Sequence, residues 1–124
     1  MCSSDLPAFR RRSGAKSEDI AERWLGGLGT TRLFLFLHID EPRAPRATSY
    51  DDAVASADDV IGRFVRYLKA HQLYEQSTIV VVSDHGEGLG EHGEQEHGLL
   101  LYRETIHVPF IVKPAAGEIG RAHV

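Results

Sequence analysis

Thr78-Ile79-Val80-Val81-Val82-Ser83-Asp84-His85-Gly86-Glu87 decides how this chain reads. Its Ile and Val residues are apolar at every position rather than alternating, as in a strand covered on both faces within an α/β sheet. In such sheets ligands bind beyond the carboxyl ends of the strands, where Asp84 and His85 fall. A carboxylate oxygen and a neutral imidazole nitrogen suit a divalent ion such as zinc or manganese, and Gly86 lets the backbone turn away. The plainer alternative has Asp84 capping the next element and His85 pointing into solvent. The buried strand, Gly86, Gly88, Gly90 and Gly93, and His97-Gly98 downstream favour a site, and His92 is kept as a secondary candidate. Glu87, Glu91, Glu94 and Glu96 read as solvated surface.

Working outward, Ser17 is expected to cap a first helix with Glu18 and Asp19 in its opening turn, Ile20, Trp24 and Leu25 on one side, and Gly26-Gly27 at its end. Residues 33–37 read as a buried strand. Ser49 and Asp52 stand in capping-box spacing before a helix through Lys69, whose core stripe is Val54, Ala57, Ile61, Phe64, Val65 and Leu68. A second strand follows at 78–82. Strand, crossover helix and strand form a right-handed βαβ unit with parallel strands. That arrangement brings His38 and Asp40 to the same sheet edge as Asp84 and His85. His38 by itself reads more readily as a hydrogen-bonded structural histidine and is kept as a secondary candidate. Asp51 and Asp52 suit the start of their helix, and His71 suits its carboxyl end. Tyr102, Arg103 and Glu104 fall on a short helix, with residues 99–101 packing and the polar side chains bracing the loop. His107 precedes a final strand at 108–112 and is another secondary candidate, a structural role being its alternative.

The motifs Ser-Asp-His-Gly-Glu-Gly-Leu-Gly-Glu-His-Gly, His-Gly, Leu-Tyr-Arg-Glu and His-Val-Pro-Phe-Ile-Val occur in that order. Together with Phe34-Leu35-Phe36-Leu37-His38 and Tyr50-Asp51 they resemble the sulfatase branch of the alkaline phosphatase superfamily, across about residues 17–113. The resemblance implies an α/β fold, namely part of an alkaline-phosphatase-like sandwich with a mostly parallel sheet and crossover helices, the N-terminal part of the domain missing. It implies that Asp84 and His85 are metal ligands and that His97 contacts sulfuryl or phosphoryl oxygens. Where many members carry a substrate-facing His, this chain has Arg43 within Glu41-Pro42-Arg43-Ala44-Pro45-Arg46. A guanidinium binds an oxyanion but does not serve as a general acid near neutral pH. The family's Cys/Ser-x-Pro-x-Arg nucleophile motif and two further metal-binding carboxylates have no match here, since Cys2-Ser3-Ser4 lacks the Pro and Arg.

The implied activity is metal-dependent hydrolysis of a sulfate or phosphate ester. The cofactor is a divalent metal ion, calcium or, as His85 favours, zinc or manganese. The expected partners are the ester substrate and the remainder of the chain's own catalytic domain, and the isolated chain is expected to be inactive. The alternatives are a transferase moving a phospho-headgroup, or a non-catalytic metal-binding domain that keeps the fold without the chemistry.

The two ends carry a second signal. Codons can be chosen so that those for Cys2 through Leu6 are reverse complements of those for Ala122 back to Glu118, with Met1 as a GTG start opposite His123. The resulting DNA string resembles a short-read sequencing adapter. Residues 1–6 and 118–124 are therefore expected to be adapter translation, flanking a partial sulfatase-like domain at 7–117, so the single cysteine says nothing about redox compartment. The formal net charge of -4 leaves no electrostatic footprint for nucleic acid, and Arg10-Arg11-Arg12 reads as a solvated segment. No apolar run approaches the roughly 18–20 residues that span a bilayer.

Overall fold

The computed structural model describes residues 13–29, 31–40, 49–93, 100–116 and 120–123. It divides into two compact units, Met1–Leu68 and Lys69–Val124. Arg43 and His97 lie outside the described residues.

In the first unit, α1 (Gly14–Gly26) begins one turn earlier than expected, with Ser13 at its N-cap. Ser17 consequently sits inside the helix. The buried side is Gly14, Glu18 and Ala21, whereas Ile20 and Trp24 stay exposed. Glu18 is not a carboxylate facing the helix dipole. It is only 5% exposed and is paired with Arg63 of α2 (Tyr50–Ala70) at 2.9 Å, which compensates its burial. Tyr67 donates its hydroxyl to Glu22 O at 2.8 Å, a second link between the helices.

The start of α2 follows its sequence signal: the Asp52 N–H donates to Ser49 Oγ at 3.1 Å, and Asp51 and Asp52 occupy the first turn. Its buried positions are Ala53, Val60 and Leu68, at spacings of seven and eight. That stripe lies slightly round the helix from the one expected, and Val54 is 44% exposed. Residues 33–37 depart furthest from expectation. They form no strand, and Phe34 and Phe36 are 87% and 78% exposed. A strand exists only where a neighbour accepts and donates its backbone hydrogen bonds, and among the described residues this segment has no such neighbour.

The second unit holds a three-stranded sheet in the order β1-β2-β3, with β1 at Ile79–Val82, β2 at Pro109–Lys113 and β3 at Gly120–His123. Both pairings are antiparallel, with Val80 opposite Val112 and Ile111 opposite Arg121. The described sheet is therefore not the mostly parallel one the βαβ reading required. β1 pairs with the strand that follows it through a long loop, so the described sheet offers no βαβ edge for His38 and Asp40 to share with Asp84 and His85. β1 is also not covered on both sides, since Val80 and Val82 are 52% and 57% exposed. β3 falls in the stretch read as adapter translation, and a ladder uses main-chain groups that almost any sequence carries.

At the other end of the ladder Lys113, 4% exposed, donates from Nζ to Tyr74 O and to Ser77 O, the latter at 3.1 Å. Its ammonium also lies 4.6 Å from the centre of the Tyr74 ring. The turn that launches β1 is thereby tied to the end of β2. The short helix after the loop is present as α3 (Arg103–Ile106). The apolar residues before it do not pack as expected: Leu100 is 53% and Leu101 85% exposed, and Leu99 lies outside the described residues.

Candidate functional site

Four hydrogen bonds shape the turn that leaves β1. Ser83 donates its hydroxyl to His85 O at 2.5 Å, and the His85 N–H donates to Asp84 Oδ1 at 3.1 Å. His85 Nδ1 lies 2.7 Å from Gly86 O, and the Gly86 N–H donates to Thr105 O in α3 at 2.8 Å. A carbonyl oxygen only accepts, so the Nδ1 contact places the proton of a neutral ring on Nδ1. Nε2 is then the nitrogen that carries a lone pair. It lies 3.7 Å from Asp84 Oδ2. Two donors at zinc-like bond lengths of about 2.0–2.1 Å and a tetrahedral angle stand about 3.3 Å apart, so a slight closure would bring both onto one ion. A backbone carbonyl that fixes the ring tautomer is also the usual support of a ligating histidine.

The donor set thus fits a divalent transition metal. Asp84 is exposed and His85 about one-third exposed, which leaves the pair open to solvent. Among the described residues no three His, Cys, Asp or Glu side chains gather into a metal-binding group.

Gly86 has a different job from the one its sequence suggested. A Cβ on it would stand 2.0 Å from Glu104 O and 3.1 Å from the Glu104 carbonyl carbon. Its lack of a side chain permits α3 to approach the turn. Thr105, 6% exposed, caps this contact by donating its hydroxyl to Tyr102 O at 2.8 Å.

His92 sits at the far end of the loop, in the 3₁₀ turn Glu91–Gly93, with φ 58° and ψ 13°. Its ring stacks on Tyr102 with centroids 4.1 Å apart and 17° between planes. Its Nε2 is 3.2 Å from Glu104 Oε1, so the structure joins it to α3 rather than to Asp84 and His85. Glu104 Oε1 is buried yet makes no aligned hydrogen bond among the described residues, which makes the approach to His92 a packing contact. Glu91 accepts the Leu89 N–H at 2.7 Å. Backbone hydrogen bonds, its own and that of Leu89, hold its carboxyl below the usual glutamate range, and His92 adds to the effect.

His107 ends α3, donating its N–H to Arg103 O at 2.8 Å. His38 stacks on Phe36 in the first unit. The sequence assigns Lys113 no role, and it places Glu18 in the opening turn of a helix rather than in a pair with Arg63. A lone Lys at a strand end and a Glu near a helix start are ordinary, and only the fold buries them.

The Sulfatase family profile matches residues 4–118. The chain is 41% identical over 51 residues to the phosphatidylethanolamine transferase Mcr-2 of Escherichia coli, covering 41% of this chain and 10% of that protein. It is 36% identical over 67 residues to the phosphoethanolamine transferase EptA of Salmonella typhimurium, covering 52% and 12%. It is also 34% identical over 61 residues to the Uncharacterized sulfatase YidJ of Escherichia coli, covering 49% and 12%. The chain thus spans about a tenth of the length of these curated relatives. No solved structure matches it.

Proposed function

This chain belongs to the Sulfatase family, and from that membership and the turn after β1 we propose that it supplies metal ligands and oxyanion-binding groups to an enzyme that cleaves a sulfuric or phosphoric ester. The observation that carries the reading is the His85 ring, whose Nδ1 contact with Gly86 O leaves Nε2 as the nitrogen with the lone pair, 3.7 Å from Asp84 Oδ2.

Asp84 would give the ion an anionic oxygen donor and His85 a neutral nitrogen donor, a pair suited to zinc or manganese and poorer for calcium. A cation held there supplies Lewis acidity, polarising the ester and lowering the pKa of a nucleophile. His97 and Arg43 are proposed to bind the non-bridging oxygens of the group being transferred. Arg43 keeps its charge throughout, so the proton for the leaving oxygen comes from another group of the complete site. The nucleophile is assigned to the remainder of the catalytic domain, and residues 1–6 and 118–124 to translated adapter. Sequencing the native DNA across both boundaries checks the last point.

Hydrolysis and transfer share the bond that breaks and differ in the acceptor. Transfer of a phospho-headgroup is the second reading, favoured by the names of relatives such as Mcr-2 and EptA. The deciding experiment uses the full-length parent with Zn²⁺ and an aryl sulfate, an aryl phosphate or a phosphoethanolamine lipid in H₂¹⁸O. Release of labelled sulfate or phosphate supports hydrolysis, whereas an unlabelled headgroup on an added acceptor supports transfer. Either activity should disappear in Asp84→Ala and His85→Ala. Wild-type turnover in those variants refutes the ligand assignment, and metal binding without turnover by the wild type favours the non-catalytic reading.

A further inference from the structure

We propose that Glu104 is a positioning residue for the Asp84–His85 pair, holding the loop between them and α3 at both ends. The proposal rests on the reading that this pair takes a cation, and adds the device that keeps the pair in register. At the near end, the backbone of Glu104 and Thr105 does the holding. Glu104 O occupies the space beside Gly86 that a Cβ would need, and Thr105 O accepts the Gly86 N–H. Gly86 is also the residue whose carbonyl fixes the His85 tautomer. A shift of α3 therefore moves the acceptor that orients the ligand ring.

At the far end, the side chain of the same Glu104 meets His92 Nε2 at 3.2 Å. Tyr102, just before α3, closes the other side of that imidazole. His92 adopts a left-handed backbone conformation, which a non-glycine residue keeps only when its surroundings over-determine it. Gly90 and Gly93, at φ 106° and 78°, let the chain turn on either side of it. The loop is thus held twice from α3, by the Glu104–Thr105 main chain beside Gly86 and by the Glu104 carboxylate at His92. Among the described residues this carboxylate oxygen is buried without an aligned hydrogen bond, a costly placement, and what it faces is His92 of the loop.

The test is ¹⁵N long-range NMR of the histidine rings in the whole 124-residue chain, followed by titration with Zn²⁺ alone. In the wild type His85 should report the Nδ1–H tautomer. In Glu104→Ala the His85 ring should average between tautomers and Zn²⁺ affinity should fall about tenfold, the scale of a lost supporting contact. His38 and His71 should keep their wild-type signals, and Glu104→Gln should restore most of the affinity. If Glu104→Ala does not fold, His92→Ala, made at an exposed loop position, carries the test with a smaller change in the same direction. Unchanged His85 signals and affinity in the folded variant overturn the proposal. So does a simultaneous shift of every histidine, which would mark general destabilisation, or a wild-type ring already averaged between tautomers. A wild type that binds no Zn²⁺ but whose His85 tautomer still responds to Glu104→Ala sinks the metal reading and leaves the positioning role standing.

Discussion

Residues 33–40 and 79–85 follow one sequence recipe: an apolar run leading into a histidine and an aspartate. They have different fates. The second run becomes β1, paired with β2, and the turn beyond it is fixed by four hydrogen bonds and by the backbone of α3. The first forms no strand and leaves Phe34 and Phe36 largely exposed. Apolar content is thus permissive for a strand and does not specify it. Partners for the main-chain N–H and C=O groups decide the outcome, and a histidine after an apolar run keeps one ring orientation only when something fixes it.

The strongest way to break this contrast is Gly86→Ala. Its Cβ would overlap Glu104 O, so α3 and the turn must separate. The expected cost is about 3 kcal/mol, at the upper end for overpacking, with loss of Zn²⁺ binding. Urea unfolding and calorimetric titration measure both, and a variant with wild-type stability and affinity would show that the close approach is immaterial.

Next in size is Lys113→Met, which keeps an apolar stem but removes the donor to Tyr74 O and Ser77 O. Leaving those carbonyls without it should cost about 2 kcal/mol. A loss below about 0.5 kcal/mol in the same unfolding measurement would mean that water replaces the ammonium at no penalty.

The paired change Phe34→Ser with Phe36→Ser sharpens the comparison from the other side. Both residues are exposed, so stability should move by no more than about 0.5 kcal/mol. A loss of several kcal/mol would show that the run is buried against a partner after all, and would revive the parallel βαβ arrangement.

The smallest effect is local to Glu91. Its folded pKa is lowered, so its contact with the Leu89 N–H is fully present above the ordinary glutamate value and is lost as pH falls through the lowered one. The Leu89 amide shift should therefore titrate with a midpoint below 4.5. A midpoint at or above that value contradicts the hydrogen bond.

Much of the second unit was legible in the chain. The IVVV run, the Ser83-Asp84-His85-Gly86 turn, the short helix after Tyr102 and the strand before Lys113 all follow from local pattern. So does the Ser49 cap of α2. Pairing direction was not legible, because a continuous apolar run suits either ladder and the βαβ rule presupposes that residues 33–37 form a strand. The face of α1 was misjudged because Glu18 counts as solvent-seeking until Arg63, forty-five residues away, is known to meet it. Gly86 was noticed as a turn glycine, but the reason for it belongs to Glu104, which no local window contains.

The measurement that bears most directly on the central claim is zinc-edge anomalous diffraction from crystals of the chain soaked in Zn²⁺. A peak about 2.0–2.2 Å from both Asp84 Oδ2 and His85 Nε2, absent in Asp84→Ala, is the predicted result. Zinc found only on other histidines, with Nε2 of His85 turned away from Asp84, would contradict it.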